Sequence, residues 1–264
     1  RSREDSVSHL LDAASLQTFH YETERTHCNR CTNHCQLTIS HFSNGERYVS
    51  GNRCERGAGE ERPERDALPN LFDYKYKRLF QYKPLPANEA PRGVIGIPRA
   101  LNIYENYPLW FTILTELGFS VVLSGRSDHK IFEKGMDSIS SESVCYPAKM
   151  AHGHVVDLIE KGIKTIFYPD ISYEQKESPD ANNHYNCPIV VSYPEVIKNN
   201  VEQLREKNIR FINPFYSLEH RGKLPQRIAE TFADFGVTLA EAKRAVERGY
   251  AEYERFKNDI RAKG

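Results

Sequence analysis

From residue 91 onward the chain alternates between two hydrophobic rhythms. The runs "RGVIGIPRA" (92–100), "FSVVLSG" (119–125), "KTIFYPD" (164–170), "CPIVVSYP" (187–194) and "IRFINPF" (209–215) have the length and β-branched content of short buried strands. Between them, apolar residues recur at helical spacing in "YPLWFTILTELG" (107–118), "YPAKMAHGHVVDLIEKG" (146–162) and "SYPEVIKNNVEQLREKN" (192–208). Gly118 and Gly162 close the first two, and Ser192 stands as N-cap of the third with a proline in its first turn. Short apolar strands alternating with amphipathic helices predict a parallel, doubly wound α/β sheet of the Rossmann or flavodoxin-like kind over 91–216. Residues 217–264 read as two further helices, the last so charged that it can pack only one narrow face or lead into another domain.

The first 90 residues follow no such alternation. A short helix is expected within 7–19, and "LTISHF" with "RYVSG" about Ser43-Asn44-Gly45 reads as a β-hairpin. Residues 1–60 thus form a small Cys-rich lobe with a hairpin. The stretch 61–90 is charged, proline-bearing and aromatic, the mark of an ordered connector rather than a free linker.

Charge narrows the function classes. With 36 basic and 36 acidic residues the chain carries no net field to hold nucleic acid or an anionic membrane. No apolar run approaches the roughly 20 residues of a membrane helix. The start, "RSREDSVSHLLDAAS", has neither an initiator Met nor a signal-peptide core, so the chain is expected to be cytoplasmic and a piece of something longer.

Six cysteines carry the candidate chemistry. Cys28, Cys31, Cys35 and Cys54 have the spacing C-x2-C-x3-C-x18-C, in which a hairpin returns the fourth thiol to the first three. In a reducing compartment such clusters are metal ligands more often than disulfides. Four sulfurs suit zinc or a 4Fe-4S cluster, and spacing does not choose between them. His20, His27, His34 and His41 could replace a thiolate in a zinc site. Cys145 precedes the "YPAKM" helix and Cys187 lies in the loop after the third strand. Both therefore belong to the carboxyl edge of a parallel sheet, where ligands bind, although a lone cysteine is otherwise a small apolar filler.

Five segments in order, "CNRCTNHCQLTI", "GNRCERG", "GIPRALNIYENYPLWFTILTELGF", "SESVCYPAKMAHGHV" and "HYNCPIVVSYPEVI", resemble the activase-related region of the 2-hydroxyacyl-CoA dehydratase activator family. More distantly, the α/β part is similar to the cluster-carrying subunits of the dehydratases. The resemblance implies an iron–sulfur module supporting ATP-driven, low-potential electron transfer to a dehydratase-type enzyme, with actin-like ATPase domains elsewhere in the parent chain. It also implies thiolates presented to a second cluster at Cys145 and Cys187, though the dehydratase pattern wants about three cysteines there. No phosphate-binding Gly-rich loop is present, so no ATP site is expected in this stretch. Two rivals stand beside this reading: a structural-zinc interaction module without catalysis, and a CoA- or nucleotide-binding α/β domain without redox role.

The remaining candidates are weaker. Arg99 and Tyr104 follow the first strand, where a CoA phosphate or thioester would dock. His152 and His154 are expected at the surface or core edge, Glu142 and Glu195 beside helix starts, and Asp170 as an ordinary turn residue.

Overall fold

The computed structural model describes residues 11–60 and 69–264, so the predicted helix start at 7–10 and the connector segment 61–68 lie outside the described residues. The chain divides into two compact units, 1–67 and 68–264.

The first unit opens with α1 (Ala13–Thr18), capped by the Asp12 carboxylate accepting from Ser15 N. Three antiparallel strands follow, β1 (Tyr21–His27), β2 (Gln36–Phe42) and β3 (Arg47–Ser50), in the order β1-β2-β3. The predicted hairpin is β2–β3. Its turn is held by Phe42 N donating to Glu46 O and by Gly45 at φ +84°. The sequence pattern does not announce β1, whose residues YETERTH offer no apolar face, since six of the seven are exposed. What specifies β1 is pairing with β2 from Tyr21↔Phe42 to His27↔Gln36. A single turn, α2 (Glu55–Ala58), follows the sheet.

The second unit begins with α3 (Leu71–Leu79) and β4 (Val94–Ile97), then α4 (Ile103–Glu116), β5 (Ser120–Leu123), α5 (His129–Gly135) and α6 (Tyr146–Glu160). It continues with β6 (Thr165–Phe167), β7 (Asp170–Ile171), α7 (Pro188–Asn200), α8 (Gln203–Glu206), β8 (Arg210–Ile212) and β9 (Phe215–Tyr216). Two helices close it, α9 (Leu224–Thr231) and α10 (Leu239–Lys263). The main sheet is parallel with order β5-β4-β6-β8, and β7 pairs with β9, also in parallel. The strand order reverses about β4, with β5 on one side and β6 on the other. Right-handed crossovers therefore send α4 to one face and α6 to the other, leaving a crevice at the strands' carboxyl ends.

The core lies between these layers. Trp110 and Tyr107 of α4, Phe119 beside β5, and Phe167 of β6 are essentially inaccessible. Each such side chain contributes about 1.5–3 kcal/mol by leaving water. The charged last helix does pack a single stripe, Ala242, Ala245, Val246, Gly249, Tyr250, Tyr253 and Phe256, with α4 as its main neighbour. Gly249 permits this approach, for a Cβ there would stand 2.7 Å from Ile113 Cγ1.

One predicted strand is a helix. "CPIVVSYP" forms the first half of α7, which starts at Cys187 rather than at Ser192. The apolar run places Ile189, Tyr193 and Ile197 at four-residue intervals on one face, which helix packing can use as well as a strand can. Pro188 fits the first turn, where no N–H is needed, and Ser192 sits inside the helix with its hydroxyl donating to Pro188 O.

Candidate functional site

In the first unit, backbone topology gathers the four thiols. Cys28 follows β1 directly and Cys35 precedes β2 directly; Cys28 N donates to Cys35 O at 2.8 Å, extending the ladder by one rung. Cys31 lies in the loop between them. Because β3 is antiparallel to β2, its exit returns the chain to the same end, where Cys54 is the N-cap of α2. Glycines allow the close approach. A Cβ on Gly51 would meet Gln36 O at 2.3 Å, and one on Gly57 would lie 3.9 Å from Cys28 Sγ. Asn52 Nδ2 donates to Cys54 O at 3.1 Å, fixing that turn. His27 and His34 share this end, whereas His20 and His41 lie at the opposite end by register. All four cysteines are free thiols, and among the described residues no three Cys, His, Asp or Glu side chains converge on a metal-holding point. The backbone thus brings the donors to one place, with their side chains not drawn together.

In the second unit, Cys145 is the N-cap of α6 and Cys187 the N-cap of α7, both exposed and each with a proline in the turn that follows. Val190 N donates to Cys187 Sγ at 3.5 Å. Both sulfurs thus stand at helix N-termini, where unpaired N–H groups favour negative charge. The helices pack against one another, and Cys145 is near enough to Tyr193 of α7 to add to the effect of burial in pushing that phenol up.

His152 and His154 are not at the surface: both are fully buried, and they point to different neighbours. His152 bonds Ser138 Oγ through Nδ1 (2.8 Å) and Tyr193 OH through Nε2 (3.1 Å). His154 bonds Ser124 Oγ (2.8 Å) and Ser127 Oγ (2.9 Å). Burial pushes both imidazoles down to about 4, helped at His154 by the positive charge of Arg99. Neutral rings, each donating through one nitrogen and accepting through the other, tie α6 to α7 and to the loop after β5. The sequence signal was the serines themselves, scattered through "LSGRSD" and "MDSIS".

Arg99 and Tyr104 do come together. Arg99 leaves β4 with its N–H donating to Ser124 Oγ (2.8 Å), and Nη1 donates to Tyr76 OH (2.7 Å). Its guanidinium lies 4.4 Å from the Phe80 ring centre, and Tyr104 packs on Tyr76 and Phe80 at 6.2 and 5.5 Å. Arg126 adds a second guanidinium 5.0 Å from the Tyr76 ring. Arg99 Nε is buried with no acceptor. The result is a cationic, aromatic-walled corner at the carboxyl ends of β4 and β5, suited to an anion. Tyr76, Phe80 and Arg126 were missed because nothing in their local sequence places them beside Arg99.

Asp170 is a fully buried strand residue, not a turn residue. Asn213 Nδ2 donates to its Oδ2 at 3.3 Å and to Glu195 Oε1 at 2.6 Å, while Asp170 Oδ1 has no partner. Burial, with Glu195 nearby, outweighs the Asn213 bond and pushes the Asp170 carboxyl up to about 7. The adjacent Tyr168 hydroxyl is also buried and unpartnered, and is pushed up by burial and by Asp170. Glu195 itself lies in the middle of α7 rather than beside its start. Glu142 is exposed, and its backbone carbonyl accepts from Lys149 Nζ. Among the described residues no helix is long and apolar enough to cross a membrane.

No curated protein and no solved structure matches the chain. A family model does, over residues 94–264, from β4 to the end of the chain, and with it the α/β unit bearing the Arg99 corner and the two capping cysteines is placed: the chain belongs to the family described as the CoA enzyme activase uncharacterised domain.

Proposed function

We propose that this chain is the thiolate-bearing module of an activase-like protein, holding a 4Fe-4S cluster and supporting ATP-driven electron transfer to a 2-hydroxyacyl-CoA dehydratase-type enzyme. The observation that carries the reading is that the backbone brings Cys28, Cys31, Cys35 and Cys54 to one end of a three-stranded sheet. Four soft thiolates are the donor set of such a cluster, which would supply a one-electron couple of low potential. ATP hydrolysis belongs in this account to actin-like domains of the parent chain. The Arg99–Tyr104 corner would hold a phosphate of an acyl-CoA partner substrate, its free Nε finding there the acceptor it lacks. Cys145 and Cys187 would present a second pair of thiolates at helix N-termini.

A second reading has its own support. Among the described residues of the first unit, Cys28 and Leu37 are the only buried hydrophobic side chains, so the lobe has little core and a structural zinc would supply its folding energy. Anaerobic reconstitution of the wild type separates these by its metal, iron with acid-labile sulfide for the cluster or zinc without sulfide for the staple, and two variants test the sites. Cys31→Ser should lower metal content and destabilise the lobe under either reading. Cys145→Ser should leave the fold intact and lower iron only if a second site exists; unchanged iron in that variant rejects the second site.

A further inference from the structure

Between β9 and α9 the chain runs through "HRGKLPQR" (220–227), with four basic side chains and no acid in a protein whose charges otherwise balance. The backbone stacks three of these bases in successive turns. Lys223 N donates to His220 O at 3.0 Å and Arg227 N to Lys223 O at 3.4 Å, so Lys223 and Arg227 are neighbours one helical turn apart with His220 in the turn before them. Arg221, the fourth base, is engaged elsewhere, with Glu254 at 2.9 Å and over the Tyr250 ring.

A cavity of about 270 Å³ opens beside this run. His220, Lys223 and Arg227 form one side of it. Ser172, Phe215 and Ser217, from the β7–β9 pair and the residues that follow it, form the other. The two strands are closed against each other there, for Ser172 N and Oγ both donate to Tyr216 O at 3.2 and 3.5 Å. Ser217 Oγ is buried without a partner, but it is enclosed and does not face the cavity, so it supplies no donor to a ligand.

Charge sets this cavity apart. No Asp or Glu lines it, whereas three larger cavities, of about 540, 460 and 420 Å³, each have two or three glutamates in their walls. Two carboxylates reach its bases from outside the wall. Glu230 takes one guanidinium nitrogen of Arg227 at 2.8 Å, and Glu219 lies 3.7 Å from His220 while also meeting His184 at 3.2 Å. Among the described residues Lys223 has no carboxylate partner. Lys223 Nζ and the rest of the Arg227 fork are therefore left to solvent or to an anion. An ammonium and a guanidinium one turn apart offer charge and directed N–H groups to several oxygens at once, which suits the doubly charged head of a phosphate monoester better than a single carboxylate. Phe215, 54% exposed, adds a flat apolar wall.

We propose that this cavity binds a phosphate monoester, its phosphoryl oxygens held by Lys223, Arg227 and His220 and its organic group lying against Phe215. The site is separate from the Arg99 corner, which is built on α3, β4 and the loop after β5.

The test is a titration of the full chain with phenyl phosphate, followed by the ring NMR signals of His220 and Phe215. The expected result is a saturable shift of both, with a dissociation constant on the order of 1 mM. Lys223→Gln removes an exposed side chain that bonds to nothing among the described residues, so it should keep the fold and weaken binding about tenfold. Lys130→Gln, at an equally exposed lysine of α5, should leave binding unchanged. Inorganic phosphate, which has no group to lay on Phe215, should bind about fivefold more weakly. No saturable shift at about 10 mM, or equal loss in the two lysine variants, would overturn the proposal. Equal affinity for inorganic phosphate would overturn the ester and leave a site for the free ion.

Discussion

Gly153→Ala is the substitution from which the structure extracts the largest effect for one methyl group. Gly153 sits midway along α6 and faces α5. A Cβ there would stand 1.7 Å from Ile131 O and 2.7 Å from Ile131 C. The contact is reciprocal, since a Cβ on Gly135 would lie 2.2 Å from Gly153 N. Both obstacles are backbone atoms, so no rotamer change relieves them. Bringing 1.7 Å out to an ordinary carbon–oxygen contact separates the helices by more than an ångström. Such a shift would strain Ile131 burial and the His152–Ser138 bond together. Overpacking in a close-packed core typically costs about 1–3 kcal/mol, and a backbone clash belongs at or above the upper end, about 3 kcal/mol. Gly162→Ala is the matched control: φ is +79° but the site is open, so only the left-handed backbone is penalised, at about 1 kcal/mol. Urea unfolding with unchanged slope reads both. A loss below about 1 kcal/mol for Gly153→Ala, or a loss no larger than for Gly162→Ala, would refute the helix-crossing argument.

Three further outcomes follow from buried polar groups. Burial alone would raise Asp157, but bonds from Lys134 (2.7 Å), Lys161 (2.8 Å) and Gly125 N (2.7 Å) outweigh it and hold the carboxyl at about 2, below its ordinary 3.8. That stability is present above pH 3.8 and is lost as pH falls towards 2; with both lysines partly exposed it is worth about 1 kcal/mol, and Asp157→Asn should flatten this acid limb in urea titrations. For His154 the unfolded ring takes up a proton near 6.5 that the folded ring refuses until about 4, so stability falls as pH drops across that window, by about 2–3 kcal/mol. His154→Gln should reduce this slope, and an unchanged slope would place the titration elsewhere. Arg99→Lys keeps the charge but loses the Tyr76 bond and the flat contact with Phe80, and should cost about 1 kcal/mol in thermal unfolding.

The parallel sheet was legible because its strands are short apolar runs with no other use, and α10 because its apolar stripe recurs at helical spacing through a charged helix. The return of Cys54 to Cys28 and Cys35 was legible as well, since the β2–β3 turn is written in Ser43-Asn44-Gly45. Other features depend on what lies across space. β1 owes its form to β2 alone, and "CPIVV" fits strand and helix equally until its neighbours choose. The burial of His152, His154 and Asp170 follows from serines, a tyrosine and an asparagine that are remote in sequence or on other elements. A single polar residue in an amphipathic run does not announce which side of the helix will be wet. The one cue at Asp170 was its place at the end of a strand in a parallel sheet, where polar groups gather.

The central claim is that the four clustered thiols hold an iron–sulfur cluster. The most direct measurement is iron, zinc and acid-labile sulfide per chain in protein purified anaerobically, with its visible absorption spectrum. The account predicts about four irons and four sulfides with broad charge-transfer absorption, and less of each in Cys31→Ser. About one zinc and no sulfide, persisting after attempted cluster reconstitution, would contradict it and make the cysteines a structural staple.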